Sequence, residues 1–259
     1  MKELMDMVEI NKQKILQEFD ERKLNLNNLP FFYHVHLHMP CNQKCIMCLP
    51  EGSHSKETLP YEKFLQFFEK IKPYAEHLTI IEEPLMYPWI NEVLQLLAEH
   101  TIEVSINTNA TLLNERMCQK LLSLHALNLR CSIDAATPEM YLKIRGKDQY
   151  HHVKKNLERF SFLVKGKSNM RQIFIYVVMK ENLCEVLQFI DFVKPMLPHR
   201  IEFHPVRHVK SWVVENNTGW LFNGMEQSCE FIKEEYNEIM KLAEEKCRQE
   251  EINYEILPL

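Results

Sequence analysis

The sequence predicts an α/β chain assembled from parallel βαβ units. First, β-prone runs alternate with helical runs of about 10–15 residues between positions 32 and 204. Second, the six strands read in that stretch are too many for a small sandwich and too few for a complete eight-stranded barrel. Third, 259 residues that are 46% hydrophobic suit one large core. A doubly wound sheet and an incomplete barrel both remain open on periodicity alone.

The elements follow in order. Residues 3–22 have the mixed polarity of a surface helix, and 25–30 form a polar connector. The aromatic run 32–38 reads as a strand. A helix is expected over 61–71, with Tyr61, Phe64, Phe67, Phe68 and Ile71 apolar, then a strand over 78–81. Pro88 suits the first turn of a helix over 88–99. A strand over 102–106 and a helix from Asn114 come next, then a strand over 128–133 and helices over 138–143 and 151–164. In 171–179, Ile173, Ile175 and Val177 share one strand face. A helix over 183–193, a strand over 200–204, a long charged helix over 231–249 and a short strand over 252–256 complete the chain. Three regions are expected: a helical extension over 1–30, the α/β core over 31–208, and a lid-like loop, helix and terminal segment over 209–259 packed on that core.

Five glycines in this apolar a chain argue against a disordered or collagen-like polymer. A net charge of −5 provides no general attraction to nucleic acid or anionic lipid. Apolar stretches fall far short of the roughly 18 residues that span a bilayer, and the charged N-terminus lacks the apolar core of a signal peptide. A cytoplasmic protein with neither membrane nor nucleic-acid partner is expected. Three of the eight cysteines lie within 41–48. The others, at 118, 131, 184, 229 and 247, are expected to be buried free thiols.

Parallel sheets bind ligands at the C-terminal ends of their strands. One rim should therefore gather the cysteine loop, Glu82-Glu83-Pro84, Asn107-Thr108-Asn109, Asp134 and the segment after His204. Thiolates suit zinc or iron–sulfur chemistry. A structural zinc site wants a fourth ligand, and no second cysteine pair exists here. A zinc- or cluster-binding structural or partner protein without turnover is the alternative function. Three thiolates on a cubane leave one iron open.

The spacing Cys41-x3-Cys45-x2-Cys48 resembles the signature of the radical S-adenosylmethionine (SAM) superfamily, in particular the partial-barrel core of its SPASM/twitch-like members. The resemblance spans roughly 32–206. It implies a partial (β/α)6 TIM-like barrel with a helical N-terminal segment and a C-terminal helix. It also implies a [4Fe-4S] cluster on Cys41, Cys45 and Cys48, with SAM at the open iron. Reductive cleavage of SAM would give a 5′-deoxyadenosyl radical that abstracts hydrogen from a small-molecule or peptide substrate. The electron would come from a donor such as flavodoxin or ferredoxin.

The resemblance extends to further segments. Glu82-Glu83-Pro84 is similar to the family's Gly-Glu-Pro, which implies Glu83 at the methionyl amino group. Glu82 replaces glycine, so a different backbone is expected there. Thr108-Asn109-Ala110-Thr111 is similar to Thr-Asn-Gly-Thr, again without its glycine, and puts Asn109 at the cofactor. Ser132 and Asp134 are expected to share a strand face toward SAM. Arg145 in Lys143-Ile144-Arg145-Gly146 is implied to pair with SAM's carboxylate. Val178-Met179-Lys180-Glu181-Asn182 resembles the adenine-contacting strand end. Met47 stands where an aromatic usually covers adenine. Beyond Cys184 only Cys229 and Cys247 remain, too few for an auxiliary cubane.

On the substrate side, His34, His36 and His38 alternate on one face and read as lumen hydrogen-bonding groups rather than metal ligands. Glu202, His204 and Arg207 form a polar strand end suited to a polar or anionic substrate, or simply a solvated terminus. Trp212, Trp220 and Phe222 mark 209–228 as a candidate lid.

Overall fold

In the computed structural model, which describes residues 2–48, 57–206, 213–215 and 221–259, seven strands form one all-parallel sheet. They are β1 (Phe32–His36), β2 (His77–Ile81), β3 (Glu103–Thr108), β4 (Ala126–Ser132), β5 (Met170–Val178), β6 (Arg200–Pro205) and β9 (Tyr254–Ile256), neighbours in that order. The helices are α1 (Lys2–Asp20), α2 (Tyr61–Ile71), α3 (Ile90–Ala98), α4 (Glu115–Leu121), α5 (Pro138–Arg145), α6 (Tyr150–Val164), α7 (Val186–Val193), α8 (Gly224–Gln227) and α9 (Lys233–Gln249). A small antiparallel pair, β7 (Val213–Glu215) and β8 (Leu221–Asn223), precedes α8.

Strand order follows chain order, without the reversal that defines a doubly wound sheet. Right-handed crossovers put the helices that connect consecutive strands on one face, the winding of a partial barrel. The sequence left these two topologies open, and this order selects the barrel type.

Alternation divides each strand between two environments. Leu78, Ile80, Val104, Ile106, Leu127, Leu129, Phe174, Tyr176, Ile201 and Phe203 are buried with Phe64, Phe68, Leu94, Leu97, Leu157, Phe160 and Phe189 from the helices. Each such side chain stabilises the fold by roughly 1.5–3 kcal/mol. The opposite faces carry His34 and His36, Ser105 and Asn107, Asn128 and Arg130, and Glu202 and His204. Those faces line the lumen.

Caps set the limits of two helices. Asn114 accepts from the Met117 amide at the start of α4, and Thr137 accepts from Met140 ahead of Pro138 in α5. Gly146 ends α5 at φ 72°. Some expected limits move. Pro88 lies outside α3, which begins after Trp89, and Pro84–Met86 forms a single 3-10 turn instead. Residues 183–193 divide into a 3-10 turn and α7. The C-terminal strand pairs with β6 and becomes the seventh strand of the sheet. No helix among the described residues is long and apolar enough to cross a membrane.

Candidate active site at the strand ends

The cysteine loop follows β1 and lies against the end of α5. Lys44 and Ile46 donate backbone hydrogen bonds to the carbonyls of Arg145 (3.2 Å) and Ile144 (2.9 Å). Gln43 is buried beneath the loop and donates to Tyr141 (3.3 Å) and Gln149 (2.9 Å). A Cβ on Gly146 would stand 2.5 Å from the Lys44 carbonyl oxygen, so this contact requires glycine.

All three loop cysteines are free thiols, Cys41 and Cys48 exposed and Cys45 half-buried. Arg145 Nη1 donates to Cys45 Sγ at 3.3 Å. The Cys45 thiol is held below the ordinary cysteine range, chiefly by a hydrogen bond with Cys48, with the Arg145 charge and hydrogen bond acting in the same direction against burial. Cys41 Sγ accepts from the Gln43 amide (3.5 Å) and from Asn109 Nδ2 (3.6 Å). Burial, the largest influence, raises the Cys41 thiol.

Glu83, 1% exposed, is fixed from β3. Thr108 Oγ1 donates to one carboxylate oxygen (2.8 Å) and the Asn109 amide to the other (2.6 Å). Burial nevertheless pushes its carboxyl up to about 7, outweighing those bonds and the Arg145 charge. Asn109 also donates to Asn42 (2.7 Å), and its oxygen accepts from Thr111. This network ties the cysteine loop to the ends of β2 and β3.

The expected backbone difference at the missing glycines takes a specific form. Glu82 has φ 71° and Ala110 has φ 60°, the left-handed region that glycine favours.

Asp134 does not share the lumen face with Ser132. The strand ends at Ser132, and Asp134 turns at φ 62° with its side chain fully buried. It pairs with Arg145 Nη2 at 2.6 Å and accepts from the Val177 amide at 2.8 Å. Arg145 Nε donates to the Ile133 carbonyl at 3.3 Å. Arg145 is thus held among strand, Asp134 and cysteine loop. Met47 packs on Ile46, Ile144, Met179 and Phe222.

Glu202, expected to face a substrate, is 2% exposed and already engaged. Arg130 binds it bidentately (3.0 and 2.6 Å), Arg200 donates twice to Oε1 (3.0 and 2.5 Å), and His204 Nε2 lies 3.1 Å from Oε2. Burial acts to raise its carboxyl, but the His204 hydrogen bond and the two arginines outweigh this and hold it at about 2. Arg207 lies outside the described residues, as do Trp212 and Trp220.

The model of the radical SAM superfamily matches residues 40–193, more than half of the chain. The chain belongs to the radical SAM superfamily. Its fold is similar to Streptococcus suis SuiB bound to precursor peptide SuiA, with a TM-score of 0.68 and 16% identity, covering 97% of this chain and 62% of that one. It is also similar to anSMEcpe with bound AdoMet and Cp18Cys peptide, with a TM-score of 0.64 and 18% identity, covering 88% of this chain and 63% of that one. At such identities the likeness is one of fold. The uncharacterized protein MJ0103 of Methanocaldococcus jannaschii is 30% identical over 151 residues, 51% of this chain and 34% of that protein. The chain therefore spans about three fifths of the two solved relatives and about a third of the archaeal one.

Within this radical SAM fold, the sequence reading missed Arg130, Gln43 and the positioning role of Asn182. Arg130 had a signal: it lies two residues before Ser132, on the lumen face of a strand whose other face is apolar. Asn182, fully buried, donates to the carbonyls of Asp134 (3.0 Å) and Val177 (2.9 Å) and accepts from Met179 (2.8 Å). No local pattern announces it. His36 pairs with Glu82 at 3.3 Å and His38 with Thr58 at 2.8 Å, so those two histidines have separate partners. Among the described residues, no group of three or more His, Cys, Asp or Glu is arranged for a single metal ion.

Proposed function

We propose that this chain is the catalytic core of a radical SAM enzyme, with Cys41, Cys45 and Cys48 holding a [4Fe-4S] cluster and SAM bound beside it. The observation carrying this reading is a loop of three free thiols at the strand ends, with a buried guanidinium donating to one of them. Thiolate ligands stabilised by nearby positive charge suit an iron–sulfur cluster. When bound, the cluster supplies the electron that splits SAM into methionine and a 5′-deoxyadenosyl radical, which takes hydrogen from the substrate.

The surrounding residues suit SAM. Glu83 is a buried carboxylate short of positive charge, and SAM's ammonium would supply it. Thr108 and Asn109 hold Glu83 in place without neutralising it. Ser132 and Met47 lie on the same rim and are assigned to the cofactor's remaining edges.

For the substrate we propose a polar small molecule or a peptide within the lumen. SuiB and anSMEcpe were both solved with peptides bound, which makes a peptide the first candidate. Glu202 organises this wall, while Arg130 and His204 present its donors. Arg207 is assigned to the same wall, and the 209–228 segment to a cover. The core over 31–208, with a helical extension over 1–30 and with 209–259 packed on it, is proposed as one functional unit. Unpaired thiols suit a reducing compartment, the basis for proposing the cytoplasm. A flavodoxin or ferredoxin would deliver the electron.

Anaerobic reconstitution followed by dithionite and SAM tests this reading. The expected results are a visible iron–sulfur absorption band and release of 5′-deoxyadenosine. A Cys41, Cys45 and Cys48 triple alanine variant should fold and lose both. Retention of the same iron content and spectrum by that variant overturns the assignment.

A further inference from the structure

We infer that Arg145 and Asp134 form a charged lever that sets the reduction potential of the group held by Cys45. This rests on the proposed cluster and goes beyond it. The guanidinium is buried and turned toward the strand end, the cysteine loop and Asp134. Nε donates to the Ile133 carbonyl (3.3 Å), Nη1 to Cys45 Sγ (3.3 Å), and Nη2 pairs with Asp134 (2.6 Å).

Burial makes this arrangement matter. The Arg145 side chain is 6% exposed and that of Asp134 is 0% exposed, so water screens neither charge effectively. Hydrogen bonds and charge near a cluster's sulfurs adjust its potential. Among the described residues, the donors to the Cys41 sulfur are neutral, the Gln43 amide and Asn109, and the charged donor to a loop sulfur is Arg145, at Cys45.

Asp134 cannot readily swing away. Its other oxygen accepts from Val177, and Asn182 binds its backbone carbonyl. The pair is thus a fixed dipole with its positive end at Cys45 and its negative end beyond it. Reduction adds one electron to the cluster. Positive charge at Cys45 stabilises that state, and negative charge behind it opposes it. Removing either partner should therefore move the potential, in opposite directions.

The test is an anaerobic redox titration of the reconstituted chain without SAM, followed by EPR of the reduced cluster. Arg145→Gln should shift the midpoint to more negative values, and Asp134→Asn to more positive values. Removing one member of a buried pair can unfold a protein. Arg145→Lys therefore serves as a second variant: it keeps the charge against Asp134 but cannot donate to both partners. It should shift the midpoint in the direction of Arg145→Gln, by less. A merely structural role would alter cluster loading without this opposed pattern. Equal midpoints in wild type, Arg145→Lys and Asp134→Asn, or shifts of the same sign in the last two, overturn the inference. A wild-type chain that forms no iron–sulfur chromophore instead overturns the cluster assignment itself.

Discussion

Replacing Gly146 by alanine should detach the cysteine loop from α5, and Gly166 provides the matched control. Both glycines are left-handed, with φ 72° and 78°. A Cβ in that region costs about 1–2 kcal/mol, offset by about 0.5–1 kcal/mol from the narrower unfolded ensemble. At Gly166 nothing lies within 4 Å of the added carbon, so only that balance applies. At Gly146 the carbon meets the Lys44 carbonyl oxygen at 2.5 Å and Lys44 Cβ at 3.1 Å. The loop must retreat, and the bonds from Lys44 and Ile46 to the end of α5 stretch or break. At about 1 kcal/mol each, they bring the expected loss for Gly146→Ala to about 3 kcal/mol, against less than about 1.5 kcal/mol for Gly166→Ala. With a urea slope of about 2–3 kcal/mol/M, the Gly146 variant should unfold about 1 M earlier. Amide exchange should also accelerate at Lys44 and Ile46 in that variant alone. Equal midpoints for the two variants, with unchanged exchange at both amides, would refute the reasoning.

Glu82→Gly should raise stability by about 0.5 kcal/mol, because it relieves a left-handed residue and loses only the solvent-exposed pair with His36; urea midpoints compare it with wild type. Glu202 has a depressed carboxyl, so its contribution is present above the unfolded value near 4.5 and is lost as pH falls toward about 2. That contribution is roughly 3 kcal/mol at most, and the stability of Glu202→Gln should vary correspondingly less between pH 4.5 and 2 in acid titrations. In the chain without its cluster, iodoacetamide should label the exposed Cys184 before unfolding, while Cys118, Cys131, Cys229 and Cys247 stay protected until unfolding; peptide mass mapping shows the order.

The strand–helix alternation was legible because each parallel strand buries one face under helices, which gives a regular apolar rhythm. Residues near the cysteines were legible because their spacing is local. What escaped depended on distance. Asn182 reaches across 48 positions to the Asp134 carbonyl, and Gln43 across 106 to Gln149. Neither partner marks the other in sequence. Asp134 was expected to share a strand face with Ser132 because alternation was extended past the last strand residue, where a left-handed turn resets the direction. At Glu202 the pairing with Arg200 is local, two residues away, but the bidentate one with Arg130 comes from 72 positions earlier and has no mark in the local sequence. Cys184, expected to be buried, is exposed: it sits in the 3-10 turn whose neighbours Leu183 and Glu185 point inward.

The left-handed residues Glu82, Ala110 and Asp134 fall just beyond the ends of β2, β3 and β4. Each would cost about 1–2 kcal/mol in isolation, so contacts must hold it there. At Ala110 those contacts are clear. Asn156 Nδ2 binds its carbonyl at 2.9 Å, and the Thr108 hydroxyl accepts its amide at 3.0 Å. That turn aims the Asn109 amide at Glu83 and its side chain at the cysteine loop. At Asp134 the turn aims the carboxylate at Arg145 and the Val177 amide. The strain therefore lies in the backbone that points each polar group at its partner. Side chains on a continuing strand would have projected into the lumen or onto the helices, and neither direction meets the cysteine loop. Bending the strand ends at these residues is how a sheet with apolar and polar faces delivers a third set of groups to its rim.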